Sequence, residues 1–430
     1  MRWTPQCSLL VALLIVGCGG DGQETPAQRG ALGGGSMPGG GALPAPRTYA
    51  QDVEFLKQHV QVIELGGDGD ARVAIVAEYQ GRVMTSSADA LNAGGNGWIN
   101  YDAVQSGEFV PHINAFGGED RFWLGPEGGQ FSIFFDQGIE TEGDEFVLAD
   151  WQTPKLIDTE TFFVENLTEN EVVFSKEATI TNYSGTEFTL AIERTVRLLT
   201  ADDVEDKLGI DLPEGVRMVA YETINSLTNS GEAAWDKSTG LLSIWILGMF
   251  KHSSTTRVIV PFKKGDDLGP IVNDTYFGKV PEDRLVTKDG YLVFRADGQY
   301  RSKIGLTPLR AKDVIGSYDP ARRLLTIVQY TLPDGVTDYV NSNWKKHQDD
   351  PYAGDVVNSY NDGPPEPGKA PLGPFYELET SSPALALAPK ESWTHVHRTF
   401  HFTGAPEALR QIADDVLGVD VEEVVAALDP

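Results

Sequence analysis

Apolar and polar residues alternate with a period of two along most of the chain after residue 48, a pattern typical of strands that are buried on one face. Segments 60–65 and 71–79 flank a glycine-rich turn and predict a hairpin. Clusters of Asn, Gly, Ser or Thr bound the other predicted strands, which span 81–86, 122–124, 146–150, 161–166, 172–182, 186–199, 217–227, 240–250, 256–261, 291–294, 324–330, 375–378 and 393–402. Repeated short strands with few helices predict an all-β fold, built as one large antiparallel sandwich.

Helical signals are confined to short segments. An acidic helix is predicted at 201–208, and a tail of two helices at 404–430. Pro406 suits a first helical turn, and the apolar face of 407–417 stops at Gly418. Asp420 is the predicted N-cap of the second tail helix, at 421–428. We expect this tail to cover the sandwich and to carry no chemistry.

The stretch 111–131 holds five glycines among charged and aromatic residues, which is unlike an ordinary core strand. The glycines predict two tight loops around the short strand 122–124. Asp120, Arg121, Trp123 and Glu127 would then lie close together. An indole ring stacks on sugar C–H faces, and a guanidinium with carboxylates can bind hydroxyls, so the stretch predicts a sugar pocket. The alternative is a turn whose Asp120 and Arg121 are solvated or paired with each other.

A late strand places Glu377 and Glu379 on one face, with Tyr376 and Leu378 on the other. Two carboxylates on one face either face solvent or line a site. In a site, burial and mutual repulsion would raise the pKa of one carboxyl, as a general acid requires, while the other stays ionised. Arg301 and Lys303 share a face of an extended segment and are candidate partners, or ordinary surface cations.

The last predicted strand, 393–402, places His395 and His397 on one face, while Phe400 and Phe402 lie on the other. We expect the apolar face to be turned to the core, which leaves the histidines on a wet face. A His-x-His pair there could also bind a metal or act as acid and base.

The N-terminal segment has the shape of a signal peptide, with an early cation and a short apolar run at residues 1–17. Ile15 to Cys18 resembles the bacterial lipobox, which implies a lipid-modified Cys18. Gly19 after this cysteine is similar to the pattern of lipoproteins sent to the outer membrane of Gram-negative bacteria. Residues 18–47 are rich in Gly, Ala and Pro and predict a flexible tether. The alternative is a plain cleaved signal with an incidental cysteine.

Acidic residues dominate the charge balance, with 63 Asp and Glu against 34 Lys and Arg, a net charge of −29. Such a surface repels phosphate backbones, so nucleic acid is excluded as a partner. It also disfavours a highly anionic polysaccharide, although a local cationic pocket could override that effect.

Three segments together resemble the galactose mutarotase-like, or aldose-epimerase-like, superfamily: GRVMTS, GGEDRFWLGPEGG and ELETSSPALALAPKES. The resemblance covers 48–403 and is narrower for a bacterial branch of secreted or lipid-anchored proteins. It implies a β-supersandwich that binds saccharides on the concave face of a curved sheet. The glutamate that acts as base in mutarotases matches Glu379 best, with Glu377 as a rival. The mid-chain histidine motif of mutarotases has no counterpart here.

The predicted function is therefore carbohydrate recognition by an envelope lipoprotein, with mutarotase or epimerase chemistry, and without cofactor or metal. Glu379 or Glu377 would be the base and Lys303, His395 or His397 the acid. A non-catalytic binding protein is the first alternative, and glycoside cleavage by the carboxylate pair is the second. The predicted substrate-binding residues are Asp120, Arg121, Trp123, Glu127, Trp151, Trp245, Arg301 and Asn358.

Overall fold

The computed structural model describes residues 47–66, 69–139, 143–365 and 368–428. The predicted signal, Cys18 and all of the tether except its last residue lie outside the described residues and stay predictions. In the described part of the chain, no helix combines the length and apolar character needed to cross a membrane.

Strands outnumber helices in the described chain and pair antiparallel throughout the named ladders. The all-β prediction is confirmed. In chain order the strands are β1 (Val62–Leu65), β2 (Arg72–Val76), β3 (Arg82–Ser87), β4 (Arg121–Gly125), β5 (Phe163–Leu167), β6 (Glu171–Thr181), β7 (Glu187–Leu198), β8 (Arg217–Asn229), β9 (Ser243–Lys251), β10 (Arg257–Pro261), β11 (Leu285–Thr287), β12 (Tyr291–Arg295), β13 (Ser302–Leu306), β14 (Val314–Asp319), β15 (Leu324–Tyr330), β16 (Val357–Asn361), β17 (Phe375–Ser381) and β18 (Ser392–Thr403).

Three sheets form the architecture. The large sheet has ten strands in the order β11-β12-β10-β14-β15-β18-β8-β7-β6-β5, and the small sheet has five in the order β13-β16-β17-β9-β4. The predicted first hairpin is confirmed as β1 and β2, which form a three-stranded sheet with β3. Apolar residues of the large and small sheets pack together between the layers, as in a sandwich.

Helices are short in the described residues. They are α1 (Tyr49–Lys57), α2 (Tyr101–Ser106), α3 (Lys155–Asp158), α4 (Ala201–Leu208), α5 (Pro406–Leu417) and α6 (Val421–Ala426). The acidic helix and both tail helices were predicted. Helix α1 was not, although Thr48 and Gln51 form a capping box at its start.

The segment predicted as a strand at 146–150 is not one. A 3-10 helix covers Leu148–Asp150, and Phe146 stacks on Phe135 with ring centroids 3.9 Å apart. The apolar residues of this segment therefore insert into an aromatic cluster instead of alternating across a sheet.

The prediction for the faces of β18 is also wrong. His395 and His397 are fully buried and point to the space between the large sheet and the small sheet. Phe400 and Phe402 lie on the opposite side of the large sheet, where they pack with apolar residues of α5 and α6. Because the tail helices bury Phe400 and Phe402, the apolar residues at this end of β18 do not identify the face that is turned to the small sheet.

Candidate functional site

One face of the small sheet carries most of the predicted site residues. Side chains of directly opposed residues in paired strands lie on the same side of a sheet. The registers of β13, β16, β17, β9 and β4 therefore bring one set of polar and aromatic side chains to the side turned away from the large sheet. We call this side the site face, defined by Arg121, Trp123, Trp245, Lys303, Asn358, Tyr360, Glu377 and Glu379.

Strand β4 enters the site face after a tight turn. Gly117 and Gly118 both adopt left-handed backbone conformations, with φ of 93° and 105°. A Cβ on Gly117 would lie 2.1 Å from the carbonyl oxygen of Trp98, so a side chain would not fit. This turn sets the register in which Arg121 and Trp123 point to the site face.

Glu379 forms the centre of the site face and is completely buried. Its Oε2 accepts hydrogen bonds from Lys303 Nζ at 2.8 Å and from Trp245 Nε1 at 3.1 Å. Burial by itself lowers the pKa of Lys303, but the attraction of Glu379 outweighs it and raises the pKa above its ordinary value. Lys303 is therefore protonated, and its ammonium nitrogen lies 5.0 Å from the Trp245 ring centroid.

Glu377 is the less buried member of the carboxylate pair, with 7% of its surface exposed. Arg121 Nη2 donates a hydrogen bond to its Oε1 at 2.5 Å, and the guanidinium lies 5.1 Å from the Trp123 ring centroid. Burial raises the pKa of Glu377 well above its ordinary value; Arg121 and Lys303 oppose this effect, and Glu379 adds to it. The two carboxyl groups thus have different environments, as an acid–base pair requires.

Aromatic rings extend from the carboxylates along one side. Trp123 lies 5.5 Å from Phe134, which stacks on Trp151 at 5.6 Å, and Trp151 stacks on Trp344 at 6.3 Å. Trp344 Nε1 donates to Glu127 Oε1 at 3.1 Å. Burial raises the pKa of Glu127, and nearby Lys303 opposes that effect. Trp123, Phe134 and Trp151 are buried, so this series of rings is an aromatic cluster packed beside the carboxylates.

Polar groups close the other side. Asn358 Nδ2 donates to Tyr276 Oη at 3.0 Å, and the Tyr276 hydroxyl donates to Asp355. A Cβ on Gly305 would lie 2.3 Å from Asn358 Nδ2, so the glycine makes room for this network. Arg301 Nε donates to the hydroxyl of Tyr360 at 3.3 Å.

Asp120 does not belong to the site face, which corrects the prediction that it reads sugar hydroxyls. It is fully buried on the inner side of β4, where Oδ1 accepts from Arg194 Nη2 at 2.6 Å and Oδ2 accepts from Thr223 Oγ1 at 3.0 Å. Alternation along the strand separates it from its neighbour Arg121.

His395 and His397 are likewise separated from the carboxylates. Each ring lies 2.9 Å from the hydroxyl of Thr380, on the inner side of β17, whereas Glu379 points to the other side. Burial lowers the pKa of His395 to about 3 and that of His397 to about 4. Neither histidine is placed or charged to protonate a sugar at the site face. In the described residues, no group of three or more His, Cys, Asp or Glu side chains could hold a metal ion.

Residues 47–428 match a family model described as "Family of unknown function (DUF6786)". The chain belongs to this family. No curated protein matches the sequence.

Several solved structures are similar in fold to this DUF6786 chain. A candidate aldose 1-epimerase from Escherichia coli K12 is 12% identical, with a TM-score of 0.47 over 80% of this chain and 99% of that one. A galactose mutarotase-like protein from Lactobacillus casei ATCC 334 is 12% identical, with a TM-score of 0.44 over 79% and 100%. A galactose mutarotase related enzyme from Lactobacillus acidophilus is 10% identical, with a TM-score of 0.42 over 80% and 97%. The likeness concerns the fold alone.

Some residues of the site in this DUF6786 chain were not predicted. Tyr360 shares the face of Asn358 in β16, so strand alternation could have identified it. Tyr276 and Trp344 lie in irregular segments with no periodic pattern. Only contacts between distant parts of the chain place them, such as the backbone pairing of Asn273 with Gly305.

Proposed function

We propose that the site face binds a carbohydrate and catalyses the interconversion of its anomers. The observation that carries this proposal is the pair of carboxylates, Glu377 and Glu379, which lie in different electrostatic environments beside two indole rings. Anomer interconversion needs a base for the anomeric hydroxyl and a proton donor for the ring oxygen, both within hydrogen-bond reach of one sugar.

Glu377 is the proposed base. It keeps some exposure, and its raised pKa makes it a stronger base than an ordinary carboxylate. It takes the proton of the anomeric hydroxyl while the bond between the anomeric carbon and the ring oxygen breaks. The product is an open-chain aldehyde, which closes again on either side.

Lys303 is the proposed donor to the ring oxygen. The oxygen released by ring opening is an alkoxide, which is basic enough to take a proton even from an ammonium group with a raised pKa. Glu379 is fully buried and holds Lys303, so it is a positioning residue. This assignment reverses the order of preference between the two glutamates that the resemblance implied.

Proton NMR of the protein with freshly dissolved single anomers of common hexoses and uronic acids tests this proposal. We expect faster interconversion with the wild-type protein and a loss of about 10²–10⁴-fold in Glu377→Gln, the range for removal of a general base. Glu187→Gln alters an exposed glutamate on β7 and serves as the matched control. Full activity in Glu377→Gln would contradict the proposed base.

A non-catalytic binding role is the second candidate. It is favoured by one observation, namely that both carboxylates are already paired with cations. Such pairs can orient hydroxyls without chemistry. In this case the same NMR experiment would show broadening of the sugar signals with no change in the rate of interconversion.

A further inference from the structure

Arg301 lies at the margin of the site face, immediately before β13. Its guanidinium carbon is 4.0 Å from the ring centroid of Phe277, and its Nε donates to the hydroxyl of Tyr360. The Tyr360 hydroxyl in turn donates to Asp362 Oδ1 at 2.7 Å, and Asp362 Oδ2 accepts from the backbone N–H of Gly373 at 2.6 Å. These contacts hold the guanidinium in one orientation.

The terminal nitrogens of Arg301 have no carboxylate partner among the residues that the structure describes. Arg121 and Lys303, the other cations of the site, each form an ion pair with a glutamate. Among the described residues, by contrast, no carboxylate oxygen lies within 4.0 Å of the Arg301 guanidinium. The positive charge of Arg301 attracts the carboxyl groups of Glu127 and Asp362 and opposes the rise in their pKa values that burial causes. The guanidinium of Arg301 is thus held in one orientation, and among the described residues its terminal N–H groups have no carboxylate to bind.

We propose that Arg301 binds the carboxylate of an acidic sugar, so that the ligand class of this site is the uronic acids. The proposal rests on the function proposed above and names its substrate class. A guanidinium fork matches a carboxylate in geometry, because two parallel N–H donors meet two oxygens.

The charge of the site favours a monoanion over a phosphate ester. One unpaired cation balances a carboxylate, whereas a phosphate ester carries up to two charges and three acceptor oxygens. The net charge of −29 repels long polyanions, but this repulsion is screened beyond roughly 8 Å at physiological salt. A single acidic sugar that contacts Arg301 directly is therefore the matching ligand.

Exposed rings beside Arg301 complete the subsite. Phe277 is 46% exposed and Tyr300 is 41% exposed, which is unusual for large aromatic residues. Phe277 also contacts Tyr360 edge to face, at 5.9 Å between ring centroids. The free surface of Phe277 can stack on the ring of a sugar whose carboxylate reaches Arg301.

Isothermal titration calorimetry of the whole protein tests the proposal, with galacturonate and glucuronate compared with galactose, glucose and a hexose phosphate. We expect the uronates to bind more tightly than their neutral counterparts. Arg301→Gln should weaken uronate binding by about 10-fold to 100-fold, the range for hydrogen bonds to charged groups, and should leave neutral sugars nearly unchanged. Arg301→Lys keeps the charge without the fork and should recover only part of the affinity.

Arg410→Gln is the matched control, because Arg410 is an exposed arginine on a tail helix. Equal affinity for acidic and neutral sugars, or a uronate preference that survives in Arg301→Gln, would overturn this inference and leave the proposed function standing. Tighter binding of the hexose phosphate through Arg301 would overturn the choice of carboxylate. Heat signals absent for every sugar would contradict the proposed function as well.

Discussion

Two glutamates that are two positions apart in β17 differ in their surroundings. Glu379 is fully buried and bound by Lys303 and Trp245, whereas Glu377 reaches the surface beside Arg121. Glu379 pairs with Lys303 and holds it in place. Burial raises the pKa of Glu377, and the negative charge of Glu379 adds to this effect. The proposed base and the glutamate that influences its pKa are thus separated by one residue.

The first prediction concerns the pH dependence of interconversion. Because the base must be ionised, the rate should rise with pH through the pKa of Glu377, which lies above the ordinary carboxyl range near 4.3. Burial is the main cause of this raised pKa, and Glu379→Gln removes the negative charge that adds to it, so the rising limb should move to lower pH. A pH–rate profile by proton NMR measures both effects, with Glu187→Gln as the control. An unmoved limb in Glu379→Gln would contradict the coupling between the glutamates.

Asp120 gives a second prediction, on stability. It forms a fully buried ion pair with Arg194. Asp120→Ala leaves the arginine charge buried and unpaired, and should cost about 3–5 kcal/mol in the free energy of unfolding. Urea denaturation measures this loss. The control is Asp289→Asn, which breaks an exposed pair with Lys264 and should leave the midpoint unchanged; equal effects of the two changes would contradict the role of burial.

At the scale of elements, β4 and β17 work in the same way. Each strand presents charged residues to the site face, and anchors the neighbouring residue to the large sheet on its inner side. Asp120 binds Arg194 behind Arg121, and Thr380 contacts two histidines behind Glu379. The polar contacts between the layers therefore fix the register of the strands that carry the site.

The third prediction concerns the histidines of β18. The pKa values of His395 and His397 in the fold lie at about 3 and about 4, below the ordinary value of 6.5. The unfolded chain then binds more protons than the folded protein between about pH 6.5 and pH 3. Their contribution to stability is therefore complete above this window and is lost as the pH falls through it. Imidazole NMR signals should show the neutral form of both rings at about pH 5; protonation of either ring near pH 6 would contradict their burial.

The tail helices provide the fourth prediction. Ile412 is fully buried against the outer side of the large sheet, in the cluster that contains Phe400 and Phe402. Ile412→Ala should lower the free energy of unfolding by about 2–5 kcal/mol, as measured by urea denaturation. Gln411 is exposed and directly precedes Ile412, so Gln411→Ala is the matched control and should change the free energy of unfolding little. Similar values for the two variants would show that the tail does not cover the sheet.

Strand alternation predicted which residues share the site face better than it predicted which face of a strand lies between the sheets. The face shared by Glu377 and Glu379 follows from local geometry, and the structure has it. Which face of β18 is inner depends on α5 and α6, which lie elsewhere in the chain, so the histidines were placed wrongly. Residues such as Tyr276 lie in irregular segments, and only the packing of distant segments brings them to the site.

The whole molecule combines an acidic surface with a locally compensated site. Cations of the small sheet neutralise the glutamates there, and Arg301 remains for a ligand. Long polyanions meet repulsion from a net charge of −29, whereas a single sugar ring meets aromatic and polar groups on one face. The charge of the molecule thus disfavours charged polymers and agrees with the proposed small carbohydrate ligand.

The most direct test of carbohydrate binding at the site face is the indole N–H spectrum of the nitrogen-labelled protein, recorded as galactose or galacturonate is added. Trp245→Phe and Trp123→Phe assign the two indole signals of the site face. We predict that both signals shift on sugar binding, since the indole of Trp245 donates to Glu379 and Trp123 lies beside Arg121. The signals of Trp235 and Trp393, which lie off the site face, should stay in place. Shifts confined to Trp235 and Trp393, or no shift at any sugar concentration, would contradict the assignment of the site face as a carbohydrate site.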